Sequence, residues 1–103
     1  VKTRYSTTIL LGICLTACSA PLIADEPIAS AAMLAGTCAG CHGTDGASPG
    51  PIAPIKGYSA SSLATAMRMF RSGQRPSTVM QRIAKGYNDA EIEAMASYFA
   101  AQR

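Results

Sequence analysis

Cys38-Ala39-Gly40-Cys41-His42 is the stretch on which the fold of this chain turns. Two thiols sit three positions apart and an imidazole follows at once, the pattern of a covalent haem attachment site. The two sulfurs reach the two vinyl groups on one edge of the porphyrin as thioethers, and His42 is delivered to the iron from one face. Gly40 keeps the two-residue spacer small, so that the backbone approaches the macrocycle closely. A redox disulfide does not need the following His, and no second Cys-x-x-Cys pair completes a zinc site.

Composition agrees with a small haem-centred domain. The chain has 103 residues, only 6% of them aromatic, and no Trp. A single domain of that size buries too little surface to be comfortably stable alone. A covalently bound haem supplies the missing apolar plate and staples the chain. The formal charge is +3, and it falls to +1 once residues 1–17, with Lys2 and Arg4, are removed. Two haem propionates bring the total slightly below zero, so the charge gives no sign of nucleic-acid binding.

The N-terminus reads as an export signal. Lys2 and Arg4 precede the apolar run Ile9-Leu10-Leu11-Gly12-Ile13-Cys14-Leu15, which is too short to remain as a membrane span. Two cleavage readings stand side by side. Leu15-Thr16-Ala17-Cys18 matches a bacterial lipobox at every position, which makes residues 1–17 the signal and Cys18 the lipid-bearing first residue. Ordinary cleavage near Ala24 instead discards Cys18. The first reading turns residues 18–27 into a tether and leaves 28–103 as the folded domain. Ser19, directly after the Cys, directs such lipoproteins to the outer membrane. Both readings put the domain in the periplasm, outside the cytoplasm.

The remainder reads as all-α, three main helices with Gly/Pro-rich connections and no strand-like alternation. The first helix is expected from about Ile28 to Thr37, delivering Cys38 and His42 from its end. Residues 43–57 hold four glycines and three prolines, and form a loop wrapping the haem edge. The second helix is expected from about Ala60 to Ser72, with Ser59 as N-cap, Gly73 past its end, and Leu63, Met67 and Phe70 as its buried stripe. Asn88 and Glu91 form a capping-box pattern at the start of the last helix, whose apolar face is Ile92, Met95, Ala96 and Phe99.

His42 is the only histidine, so bis-histidine ligation within one chain is impossible. The sixth position takes Met, takes a less usual ligand such as Lys, or stays open. Met33 lies on the proximal helix, Met67 and Met95 read as core, and Met69 sits between arginines. Met80, in the segment that must cross the distal face, has the strongest claim. A soft, neutral thioether favours ferrous iron and raises the reduction potential.

Taken together, Cys38-x-x-Cys41-His42, Cys41-His42-Gly43-Thr44-Asp45-Gly46, the Gly/Pro loop, Met80 and the capped last helix make the chain similar to class I c-type cytochromes. Arg75-Pro76-Ser77-Thr78-Val79-Met80 followed by Arg82-Ile83-Ala84-Lys85-Gly86-Tyr87 resembles more closely the monohaem cytochrome subunit of flavocytochrome c sulfide dehydrogenase. That resemblance covers nearly all of residues 30 to 100. It implies a small cytochrome c fold around one covalent haem c, with Met80 as distal ligand. It also implies that the Pro51 carbonyl accepts the proton of His42, and that Leu34 and nearby small residues cross Met95 and Tyr98. Some subunits of this kind carry two haems; this chain has one attachment motif.

The function expected is electron transfer, in which the haem accepts electrons from an FAD-containing sulfide-oxidising flavoprotein and passes them to a downstream acceptor. No acid/base pair reads as catalytic, so the chain by itself is not expected to be an enzyme. Two alternatives stand: a free lipid-anchored cytochrome shuttling between respiratory partners, and a haem sensor or enzyme with an open distal site. From Gly46 to Asn88 there is no acid, while Lys56, Arg68, Arg71, Arg75, Arg82 and Lys85 lie there. They read either as solvated charge with partners for the propionates or as a docking rim near the haem edge for an acidic partner, which charge reversal of Arg68 and Arg71 would test.

Overall fold

A computed structural model describes residues 29–102. The export signal, Cys18, the tether and the expected start of the first helix at Ile28 lie outside the described residues. Four helices follow in order: α1 Ala31–His42, α2 Ala60–Ser72, α3 Met80–Ala84 and α4 Asp89–Ala100. No strand occurs among the described residues.

Each long helix begins at a side-chain cap. The Ser30 hydroxyl accepts from the Met33 amide at 3.3 Å to start α1. Ser59 does the same for α2, accepting from the Ser62 amide at 3.2 Å. The capping box of α4 is complete: the Glu91 amide donates to Asn88 Oδ1 at 2.8 Å and the Asn88 amide donates to Glu91 Oε2 at 3.0 Å. These reciprocal bonds are why Glu91 is tolerated in the interior.

The bounds of α2 and the start of α4 agree with the sequence expectation. The first helix does not: it ends at His42 rather than Thr37, so both cysteines and the histidine are helical residues. Nothing between Thr37 and His42 breaks a helix outright, and Gly40 weakens it by only about 1 kcal/mol relative to Ala. The stop comes at Gly43, whose φ of +84° is a conformation that glycine adopts freely. The short α3 is a fourth element that the sequence pattern did not reveal.

The core lies where α4 packs across α1 and α2, with α3 set against α2. Leu34, Ala64, Ile92, Met95 and Ala96 form the buried cluster, flanked by Cys38, Leu63, Met67 and Tyr87. Leu34 and Met95 thus share one cluster, while Tyr98 packs edge-on against Phe99 at 5.5 Å. On α2 it is Ala64, not the stripe of larger residues, that is fully enclosed; Leu63, Met67 and Phe70 are half-buried. A small residue at the crossing lets the helices approach closely. Four of the eight buried apolar residues are alanines, so protein atoms alone make a thin core.

Candidate functional site

The attachment motif occupies the last turn and a half of α1. Cys38 is half-buried and Cys41 exposed, and both are free thiols. Spaced i, i+3 on a helix, their Cβ atoms lie about 5–6 Å apart on one face. Burial pushes the Cys38 thiol pKa up, only partly countered by the neighbouring Thr37 hydroxyl. The thiol therefore stays protonated at neutral pH. A Cβ on Gly40 would meet no protein atom within 4 Å, so packing within the protein makes no demand for glycine there.

His42 is oriented by the loop that follows. Its Nδ1 lies 2.6 Å from the Ala53 carbonyl oxygen. A carbonyl only accepts, so Nδ1 carries the proton and Nε2 presents a free lone pair. The expected acceptor, Pro51, is corrected: the carbonyl is that of Ala53, two residues further on. The loop path explains the change. The Ser48 amide donates to the His42 carbonyl at 2.8 Å, and the Ser48 hydroxyl donates to the Ile52 carbonyl. This turn fixes the Ile52 carbonyl and brings the next one, that of Ala53, to the imidazole. The Gly46 carbonyl closes the loop by accepting from the Ile55 and Lys56 amides at 2.8 and 3.0 Å.

The five methionines separate by environment. Met95 is buried in the core cluster and Met67 packs against it. Met33 is 69% exposed on α1. Met69 lies on the outer face of α2 beside Arg68, Arg71 and Gln74. Met80 is the first residue of α3 and half-buried; the exposed Val79 precedes it, and the Gln81 amide after it donates to the Ser77 hydroxyl.

The donor set and the surface together fit a haem. Two thiols share one helical face, and a proximal imidazole is locked in the Nδ1-protonated form. Ile52, Tyr58, Val79 and Ile83 are each more than two-fifths exposed, large apolar side chains that the described protein leaves uncovered. Cys38 and Cys41 would hold such a group covalently and His42 would ligate it. When bound, the haem supplies one-electron iron chemistry. No group of three or more His, Cys, Asp or Glu side chains suited to a metal ion occurs among the described residues.

Charge falls differently from the sequence expectation. Arg68 reaches Glu93 at 2.5 Å and Asp89 at 3.3 Å, and Arg71 reaches Asp89 at 2.6 Å. The two arginines clamp α2 to α4 rather than standing free. Among the described residues the cations left outside this clamp are Lys56, Arg75, Arg82 and Lys85, with Arg75 stacked 4.8 Å over the Phe70 ring. The Arg71 and Arg68 guanidiniums hold the Asp89 carboxyl below its ordinary range. A lowered folded-state pKa gives a stabilisation that is complete above about pH 4 and is lost as pH falls through the folded value. Asp89→Asn is therefore expected to flatten stability across that acid window and to change it little with pH above 5. A series of denaturant melts from pH 2 to 7 checks this. Equal slopes in both proteins would show that the clamp is electrostatically idle.

Comparison with known proteins adds four findings. Residues 27–99 match the family described as cytochrome C oxidase, cbb3-type, subunit III. The chain is 52% identical over 63 residues to the cytochrome subunit of sulfide dehydrogenase of Chlorobaculum tepidum, covering 61% of this chain and 57% of that one. It is 39% identical over 71 residues to cytochrome c-554(548) of Halomonas halodenitrificans, covering 65% and 86%. It is 37% identical over 67 residues to the thiosulfate dehydrogenase electron acceptor of Stutzerimonas stutzeri, covering 61% and 31%. The chain thus spans little more than half the length of the sulfide dehydrogenase subunit and most of the length of the Halomonas protein.

Proposed function

The chain belongs to the c-type cytochromes, in the family of cbb3-type oxidase subunit III, and from that premise we propose that it receives its electrons from an FAD-containing sulfide-oxidising flavoprotein. It is an electron-transfer cytochrome with one covalent haem c, and it is not itself catalytic. The proposal concerns the donor and the residues. Cys38 and Cys41 carry the thioethers, His42 is the proximal ligand and Met80 the distal one. A haem held by these four side chains would supply one-electron chemistry, and with His42 and Met80 both coming from the protein it would do so with little reorganisation.

The observation that carries the donor is the 52% identity with the cytochrome subunit of sulfide dehydrogenase. The test is reconstitution. Holoprotein purified from its native source is expected to bring down a flavin-containing subunit in one-to-one ratio, and the haem of that complex is expected to be reduced by sulfide. A cytochrome that purifies without flavin and stays oxidised in sulfide sinks the proposal. The match over 86% of cytochrome c-554(548) supports a second reading, a free-standing cytochrome moving between respiratory partners. The same purification separates the two.

A periplasmic site with Cys18 as lipid anchor to the outer membrane completes the proposal. None of the described helices is long and apolar enough to cross a membrane. Mass spectrometry of the mature N-terminus distinguishes an acylated Cys18 from cleavage near Ala24.

A further inference from the structure

Tyr87 is the residue at which all four helices meet, and electron transfer as described above does not use it. Its amide closes the end of α3 by donating to the Ala84 carbonyl at 3.3 Å. Its carbonyl accepts from Arg71 Nη1 of α2 at 3.1 Å. Its successor, Asn88, caps α4. Its hydroxyl lies 2.7 Å from Thr37 Oγ1 on α1, fifty residues earlier and next to Cys38.

The direction of that last bond is fixed by counting protons. The Thr37 hydroxyl has one hydrogen and donates it to the Leu34 carbonyl at 2.7 Å. Tyr87 is therefore the donor to Thr37, giving a relay from Tyr87 to Thr37 to the α1 backbone. Cys38 Sγ lies 3.9 Å from the same oxygen. A thioether sulfur has no hydrogen to donate, so haem attachment leaves the Thr37 oxygen to Tyr87. Among the described helices α3 packs on α2 alone, and the Tyr87 hydroxyl, three residues past its end, is the hydrogen bond that joins this turn to the cysteine-bearing helix.

We propose that Tyr87 is a positioning residue whose hydroxyl latches the α3–α4 turn, and with it Met80, to the haem-bearing helix through Thr37. The part of this that concerns Met80 rests on reading Met80 as the sixth ligand. Tyr87→Phe keeps the ring packing and removes the donor; the freed Thr37 oxygen is exposed and takes water, so the fold survives.

Hydrogen exchange on the holoprotein reads the latch directly. One neutral hydrogen bond lost raises local opening about fivefold. The Ile83, Gly86 and Tyr87 amides, all bonded within this turn, are expected to exchange about fivefold faster in Tyr87→Phe. Thr37→Val is expected to match it, Thr37→Ser to restore the native rate, and the double variant Tyr87→Phe/Thr37→Val to add nothing more. The Leu63 amide of α2 is expected to stay unchanged. Imidazole association with the ferric protein is expected to rise by the same factor.

Unchanged exchange in Tyr87→Phe overturns the proposal, as do effects that add in the double variant. Faster exchange with unchanged imidazole association overturns the link to Met80. If Met80→Ala itself takes up imidazole at the native rate, it is the sixth-ligand reading that has failed, while the exchange rates still decide the latch.

Discussion

Met80→Ala holoprotein is expected to bind carbon monoxide in the ferrous state at least about a hundredfold more tightly than the native protein. The magnitude follows from competition. An external ligand reaches the iron only in the fraction of molecules whose own sixth ligand is off, and its apparent affinity is reduced by that fraction. A thioether bound in about 99% of molecules leaves about 1% open, and removing it restores the intrinsic affinity. The same substitution removes a ligand that favours ferrous iron, so the reduction potential is expected to fall. Met33→Ala is the matching control, because Met33 is 69% exposed on the proximal helix. Carbon monoxide titration and a potentiometric titration of both variants decide the matter. Native protein that already binds carbon monoxide as tightly as Met80→Ala would return the chain to the open-site reading.

The two experiments on the distal side reinforce each other. Met80→Ala tests which atom fills the sixth position, and Tyr87→Phe tests what holds that atom's helix in place. The α3 N-cap position is Val79, which makes no side-chain capping bond. A five-residue helix, whose first turn is met only by the Ser77 hydroxyl at the Gln81 amide, has little stability of its own. Its place must come from contacts with neighbours: α2, and Thr37 through Tyr87. This is the physical reason to look for the control of ligation outside α3 itself.

The parts of the fold visible in the sequence are those with local causes. Ser59 and Gly73 bracket α2, and Asn88 with Glu91 opens α4, because caps act within three or four residues and leave a sequence signature. The haem motif was legible for the same reason. What escaped depends on the path of the chain through space. Gly40 and the polar end of the motif disguised the continuation of α1, whose stop is a backbone angle at Gly43. Alpha3 is too short to show a period, and its cap is an apolar residue. Which carbonyl meets His42 depends on how Ser48 turns the loop, so neither composition nor spacing distinguishes Pro51 from Ala53. Arg68 and Arg71 stand 18 to 25 residues from their carboxylate partners. In the sequence they form a basic stretch; in the fold they are a clamp, which weakens their claim as a docking rim.

Gly46→Ala is expected to be the most damaging small substitution in the loop. Gly46 is buried and holds a φ of +75°. An L-residue placed there costs about 1–2 kcal/mol in backbone strain. Its Cβ would also lie 2.6 Å from Ile55 Cγ1, 3.1 Å from Phe99 Cδ1 and 3.2 Å from the Lys56 backbone nitrogen. Ile55 Cγ1 is near the root of its side chain, and Phe99 is buried in the α4 face, so neither yields cheaply. Overpacking of this kind costs about 1–3 kcal/mol. Together the two effects come to about 2–5 kcal/mol, which in a domain this small lowers the melting temperature by on the order of 10–40 °C. The damage extends to the haem side, because the Gly46 carbonyl holds the Ile55 and Lys56 amides that close the loop carrying Ala53 to His42. An imidazole that loses its carbonyl partner rotates more freely, so the ferric spectrum is expected to broaden along with the loss of stability. Gly50→Ala is the comparison within the same loop: no atom lies within 4 Å of the added Cβ, and its backbone is not in the left-handed region. It is expected to change stability by less than about 0.5 kcal/mol. Thermal melts of the two holoproteins give the answer, and a Gly46→Ala protein melting within a few degrees of Gly50→Ala would mean that Gly46 does not anchor the loop that orients His42.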